Sequence, residues 1–152
     1  MLRGFELELE NFFAQIKDHE RMVLSTSLND KVTSRMMSII VMDGRFYFQT
    51  DMTFRKYEQL KHNTRVALCS NNIQIEGLCE EIGRPVENTN FCLLYHQYFS
   101  DSYDRYTKLD NERLFVVSPI YIQEWIYEKG KPFVKMFDFT KETFTKKAYI
   151  GQ

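Results

Sequence analysis

Cysteine and histidine are scarce in this chain, net charge is almost nil, and each scarcity excludes a class of function. The three cysteines, Cys69, Cys79 and Cys92, are odd in number and too widely spaced for a Cys-x-x-Cys pair. They read as buried free thiols of a reducing compartment, which excludes a disulfide framework. The three histidines, His19, His62 and His96, share no ligand spacing with the cysteines or with one another, so no metal site is expected. Lysine and arginine number 20 against 21 acidic residues, a net charge of -1, and nothing in that balance points to nucleic acid or to an acidic membrane. No apolar run is long enough to span a bilayer, and the alternation of Glu6, Glu8 and Glu10 with Leu7 and Leu9 is wrong for a signal peptide. A cytoplasmic protein is expected. A Gly-x-Gly-x-x-Gly motif is missing too, which excludes a dedicated dinucleotide-binding domain.

What is present is a succession of short periodic runs. Residues 1–152 read most simply as one domain, long enough to bury roughly 68–70% of the surface of its unfolded chain. Leu9, Phe12, Phe13 and Ile16 fall at i, i+3, i+4 and i+7, which predicts an amphipathic helix over about 5–18. Strands are expected over Met22–Ser27, Lys31–Val41 and Arg45–Gln49, with turns at Asn29-Asp30 and Asp43-Gly44. Thr53 is the expected cap of a helix from Phe54 to about Lys61, with Asn63 at its left-handed end and Tyr57 and Leu60 inward. Further strands are expected at Arg65–Ser70, Ile73–Ile82, Arg113–Val117, Ile120–Glu128 and Pro132–Phe139, and Asn88 opens a second, aromatic-rich helix. About seven antiparallel strands interrupted by helices predict a mainly β fold, a closed or nearly closed barrel with helices outside it.

One stretch carries chemistry. Thr33 to Lys56 sets Arg35 at one end of a hairpin and Arg55 and Lys56 in the first turn of the following helix. Two guanidinium forks, an ammonium and the amides of a helix N-terminus together suit a dianionic phosphate. The bland alternative is a solvated basic face. Tyr95, Tyr98, Phe99, Tyr103 and Tyr106 could roof a ligand or serve as core and dimer surface. His96 could donate a proton to a substrate or be a surface imidazole.

An arginine opening the second strand, then Phe48-Gln49-Thr50 ending the third, then Arg55-Lys56 five and six residues after the threonine, resembles the pyridoxamine 5'-phosphate oxidase-like proteins. The resemblance runs from about Arg21 to Val117. It implies an antiparallel split β-barrel that binds FMN, with Arg35, Arg55 and Lys56 on the phosphate. It also implies that Met36, Met37, Ser38, Gln49 and Thr50 run along the ring and ribityl chain, and that two flavins sit at a homodimer interface. Asn72 stands five residues before Gly77, where the family often has glutamine, and is the corresponding candidate for the flavin edge. The carboxy-terminal arginine-x-histidine clamp of true pyridoxamine phosphate oxidases is absent, since Trp125 to Gln152 contains neither residue type. The expected function is therefore an FMN-dependent oxidoreductase acting on a small molecule other than vitamin B6, with a nicotinamide nucleotide as a possible electron donor. The alternatives are a non-catalytic flavin or haem carrier and a nitroimidazole-type reductase.

Overall fold

Alternation of side chains across each strand explains why the middle of the chain is apolar almost without interruption. In the computed structural model, which describes residues 3–151, the strand Arg45–Asp51 (β3) is buried on both faces. Phe46 and Phe48 point into a barrel interior shared with Met22, Leu24, Ile39 and Leu68. Tyr47 points the other way, into a second cluster with Ile40, Leu114 and Val116, covered by Phe91 and Tyr95 of a helix outside the barrel and by Phe99 just past its end. A strand sandwiched in this way loses the polar face that an exposed sheet would keep.

The elements run α1 (Gly4–Ile16), β1 (His19–Leu28), β2 (Lys31–Met42), β3, α2 (Arg55–His62), β4 (Arg65–Ser70), β5 (Ile73–Glu81), α3 (Thr89–Tyr98), β6 (Glu112–Glu128), β7 (Lys131–Asp138) and β8 (Thr143–Ala148). The sheet order is β3-β2-β1-β4-β5-β6-β7-β8, and β3 also pairs with β6. Six antiparallel strands therefore close a barrel, from which β7 and β8 extend along the second half of β6. Closure removes the free edges that an open sheet would present. α1 packs against this barrel through Phe12, whose ring lies 5.5 Å from Phe137, and Phe13, 5.8 Å from Phe46. No helix among the described residues is long and apolar enough to cross a membrane.

Turn chemistry sits where the sequence places it. Asn29 and Asp30 both have positive φ, as do Asp43 and Gly44, the backbone that tight hairpins of right-twisted strands need. The expected strands Arg113–Val117 and Ile120–Glu128 are one strand, β6, bent at Pro119. Proline lacks the N–H for a continuous ladder, and the register shifts opposite it between Glu76 and Gly77. Gly77 is there because a Cβ would lie 2.5 Å from Val117 Cγ1 and 2.9 Å from the Ser118 carbonyl oxygen.

Other expectations are corrected. The sheet has eight strands, the unforeseen one being β8, whose sequence is mostly exposed and polar. Thr53 does not cap α2. Its N–H and hydroxyl both donate to Asp51 Oδ1, at 2.8 and 2.6 Å, and Phe54 holds the cap position without a side-chain bond. Asn63 is extended rather than left-handed, because its amide donates to the Ser27 carbonyl and hydroxyl at the end of neighbouring β1. Asn88 does cap α3, accepting from Phe91 N at 2.9 Å. All three cysteines are free, but Cys69 is exposed, and only Cys79 is fully buried.

Candidate phosphate and ligand site

The interior face of the barrel turns polar at one end. On β1 the inward series Met22, Leu24 continues to Thr26, and on β2 the series Ile39, Met37 continues to Arg35 and Thr33. Leu24 pairs with Arg35 and Thr26 with Thr33, so these side chains meet, and Gln59 of α2 closes over them. Arg35 Nη1 donates to Thr26 Oγ1 at 2.9 Å and to the Leu24 carbonyl at 3.2 Å, and Nη2 donates to Thr33 Oγ1 at 2.6 Å. Both threonine hydroxyls donate onward to Gln59 Oε1, at 2.6 and 2.8 Å. A guanidinium has five N–H donors, and these contacts use three. Its Nε and one Nη2 hydrogen have no acceptor among the described residues.

Arg55 and Lys56 arrive at the same place because the Asp51 to Thr53 turn ends β3 and starts α2 beside β1 and β2. Among the described residues none of the three cations forms a salt bridge. The consequence is electrostatic: burial, then the charge of Arg55, pulls Arg35 below the usual arginine range. Burial, then Arg35, pulls Lys56 down, with Glu112 opposing. Lys56 Nζ lies 5.0 Å from the centre of the Phe54 ring. Positive charges gathered with no direct ion pair among the described residues repel one another, and an anion that joined them would relieve this.

Lys56 also borders a cavity of about 360 Å³, walled by Gln49, Thr50, Tyr95, Tyr106 and Glu112. Gln49 is buried and accepts from the Thr107 hydroxyl at 2.9 Å. Thr50 Oγ1 is fully buried and has no hydrogen-bond partner among the described residues, an uncommon state for a native hydroxyl. Glu112 is buried opposite Asp51, and its carboxyl is pushed up to about 7 by burial and then by the Asp51 charge, against the pull of Lys56 and a bond from Gln49. Sequence reading missed Glu112. The only available signal was an acidic residue at the start of an apolar strand.

The remaining candidates are dispersed. Met36 is exposed and Ser38 half-buried on the outer face of β2, where Ser38 approaches the Tyr95 hydroxyl. Met37 points into the barrel core, so its side chain is packing and only its backbone could meet a ligand. Asn72 is not brought to the cluster within one chain. It lies in the β4–β5 turn with its amide donating to the Trp125 carbonyl, at the opposite end of β6 from Glu112. His96 is exposed and lies against the Tyr103 ring at 4.5 Å. Tyr98 stacks on His19 at 3.6 Å rather than roofing the cavity, a role left to Tyr95 and Tyr106. A larger cavity of about 550 Å³ lies elsewhere on α2, between Tyr57, Leu60 and Leu78, and contains neither Arg35 nor Lys56.

Solved structures share this architecture. A pyridoxamine 5'-phosphate oxidase-related, FMN binding protein from Nostoc punctiforme is 12% identical, with a TM-score of 0.61 over 97% of this chain and 95% of that one. PhzG from Burkholderia lata, solved with tetrahydrophenazine-1-carboxylic acid, is 11% identical, with a TM-score of 0.67 over 98% and 96%. HutZ, the heme storage protein from Vibrio cholerae, is 13% identical, with a TM-score of 0.57 over 77% and 91%. At these identities the likeness establishes the split-barrel fold. No curated protein sequence matches the chain. The family model described as pyridoxamine 5'-phosphate oxidase matches residues 9–126, most of the chain and all of the cation cluster, and the chain belongs to that family.

Proposed function

We propose that the chain is an FMN-binding flavoprotein, a single split-barrel domain that works as a homodimer and oxidises or reduces a small molecule. The observation that carries this reading is the set of three cations, Arg35, Arg55 and Lys56, with no salt bridge among the described residues, beside a buried Thr50 hydroxyl that has no partner among them. A phosphate monoester matches that donor set: it neutralises the cations and accepts from the unused edge of Arg35. Gln49 and Thr50 would lie along the chain that joins phosphate to ring, with the backbone of Met36 to Ser38 beside the ring. Asn72, remote from the cluster in its own protomer, would join only from a second subunit.

The flavin would supply hydride or electron transfer. The protein's part is to fix the phosphate with charge, to hold Arg35 in one orientation through Thr26, Thr33 and Gln59, and to screen the ligand with Tyr95 and Tyr106. A nicotinamide nucleotide is the simplest donor, docking over the open face. Trp125 to Gln152 offers no arginine or histidine to clamp vitamin B6, which is therefore not the substrate proposed here.

A haem carrier is the second reading, favoured by the fold shared with HutZ. His62 is engaged with Glu58 at 2.9 Å and His19 with Asp18 at 3.1 Å, which leaves His96 as its axial candidate. The visible spectrum of the purified protein, with the released chromophore identified by mass, separates the two. Flavin absorbance with FMN released supports the first, and a Soret band with no flavin affinity overturns it. Stopped-flow mixing with nicotinamide nucleotides then separates catalyst from carrier.

A further inference from the structure

The cation cluster does not account for the acid at its edge. Glu112 begins β6, pairs across with Asp51 of β3, and is 5% exposed. The charged and titratable groups facing it are Asp51 from β3, Lys56 from α2 and Tyr95 from α3, with Arg35 behind Lys56. Glu112 and Lys56 influence each other's charge yet form no direct ion pair among the described residues. Both border the cavity into which the unpartnered Thr50 hydroxyl is buried.

We propose that Glu112 belongs to the ligand site and takes up one proton from solvent when a phosphate-bearing ligand binds at Lys56. This rests on the phosphate reading given above. The reasoning is one of competing anions. Before binding, ionised Glu112 and Asp51 are the negative charges near Lys56. A phosphate dianion takes over that role and places further negative charge beside the buried Glu112 carboxylate, where repulsion is weakly screened, with the partly exposed Asp51 next to it.

One carboxylate must give way, and the structure determines which. Asp51 is stabilised as an anion by the Thr53 N–H and hydroxyl, and its carboxyl is held below the usual range. Glu112 is favoured as an anion only by nearby Gln49 and Lys56, is deeply buried, and its carboxyl already sits near neutrality, at about 7. It therefore accepts the proton. The protonated carboxyl is an O–H donor on the cavity that Thr50 also lines, so the cavity gains a second hydrogen-bonding group for oxygen atoms next to the phosphate.

The test is calorimetric titration of FMN into apoprotein at pH 7.5, in PIPES and in imidazole, for the parent and Glu112→Gln. Net proton uptake is expected in the parent and much less in the variant. From pH 7 to 8.5 the Kd of the parent for FMN should rise by about three- to tenfold per pH unit, while that of the variant changes less than twofold. Riboflavin should show no such dependence in either protein. Should the variant fail to fold, 13C titration of the glutamate carboxyls in the parent decides. One resonance titrating near pH 7 is expected to move upward by a unit or more on adding FMN. Equal proton uptake in both proteins, or a glutamate titration indifferent to FMN, overturns the proposal while leaving phosphate binding intact. Failure of the parent to bind FMN more tightly than riboflavin overturns both readings.

Discussion

Arg35 and Thr33, two residues apart on one strand, are joined by a 2.6 Å bond from Nη2 to Oγ1. That bond, with those to Thr26 and the Leu24 carbonyl, fixes the guanidinium plane before any ligand arrives. Arg35 therefore has two roles, packing β1, β2 and α2 together and presenting charge.

The two roles separate by mutation. Lys56→Ala should weaken FMN binding about ten- to a hundredfold with little loss of stability, since a charge-assisted bond is worth roughly 1.5–3 kcal/mol. Arg35→Ala should weaken FMN binding comparably but also destabilise the fold, because Thr26, Thr33 and the Leu24 carbonyl lose their common donor. Flavin fluorescence quenching with FMN and riboflavin, alongside thermal melts, checks both. Unchanged FMN affinity in both folded variants would mean a structural arginine and a surface lysine.

The dimer is tested by mass. Val32 and Met36 are exposed on the outer face of β2, at 69% and 58%, and Phe54 is exposed beside Lys56, apolar area that a second copy would cover. Sedimentation equilibrium at micromolar protein should give twice 18.3 kDa, and Met36→Lys should shift it toward the monomer.

Pyridoxamine 5'-phosphate should not be oxidised at a useful rate. The β7–β8 extension carries lysine but no arginine or histidine, so it offers no arginine-x-histidine clamp. Peroxide release with that substrate is the assay, and robust turnover would refute the expectation.

Glu112 also makes stability depend on pH. Its carboxyl is raised from 4.5 in the ordinary state to about 7 in the fold, so between those values the native state keeps a proton that the unfolded chain releases. Its contribution is fully present below 4.5 and is lost as pH rises through 7. Glu112→Gln should therefore match the parent at pH 4 and exceed it at pH 8, by on the order of 2 kcal/mol. Urea denaturation of the apoprotein at both pH values measures this, and an equal difference at each would show that the carboxyl does not titrate there.

Gly77→Ala should cost about 2–4 kcal/mol, because the added methyl meets the Val117 side chain and the Ser118 carbonyl, neither of which can swing away inside the barrel. A melting temperature within 2 °C of the parent would show that the β5–β6 bulge relaxes.

The sequence by itself determined what is local. Asn29-Asp30 and Asp43-Gly44 specify their hairpins because few residue pairs tolerate positive φ. The spacing of Leu9, Phe12, Phe13 and Ile16 specifies the inward face of α1. Arg35, the Phe48-Gln49-Thr50 run and Arg55-Lys56 were legible as a cation set because their order and spacing are properties of the chain. Tertiary structure decided what depends on long-range pairing. Asn63 was drawn from a capping duty to Ser27, 36 residues away, since bonds formed across a folded surface outcompete local preference, whereas Thr53 was diverted by a local turn to Asp51, two residues back. β8 carried too little apolar pattern to be read, and forms because β7 offers it an edge. Glu112 is an ordinary glutamate until β6 pairs with β3, which buries it between Asp51 and Lys56. No local pattern encodes that burial, because the desolvation and the neighbouring charges arise only when the barrel closes.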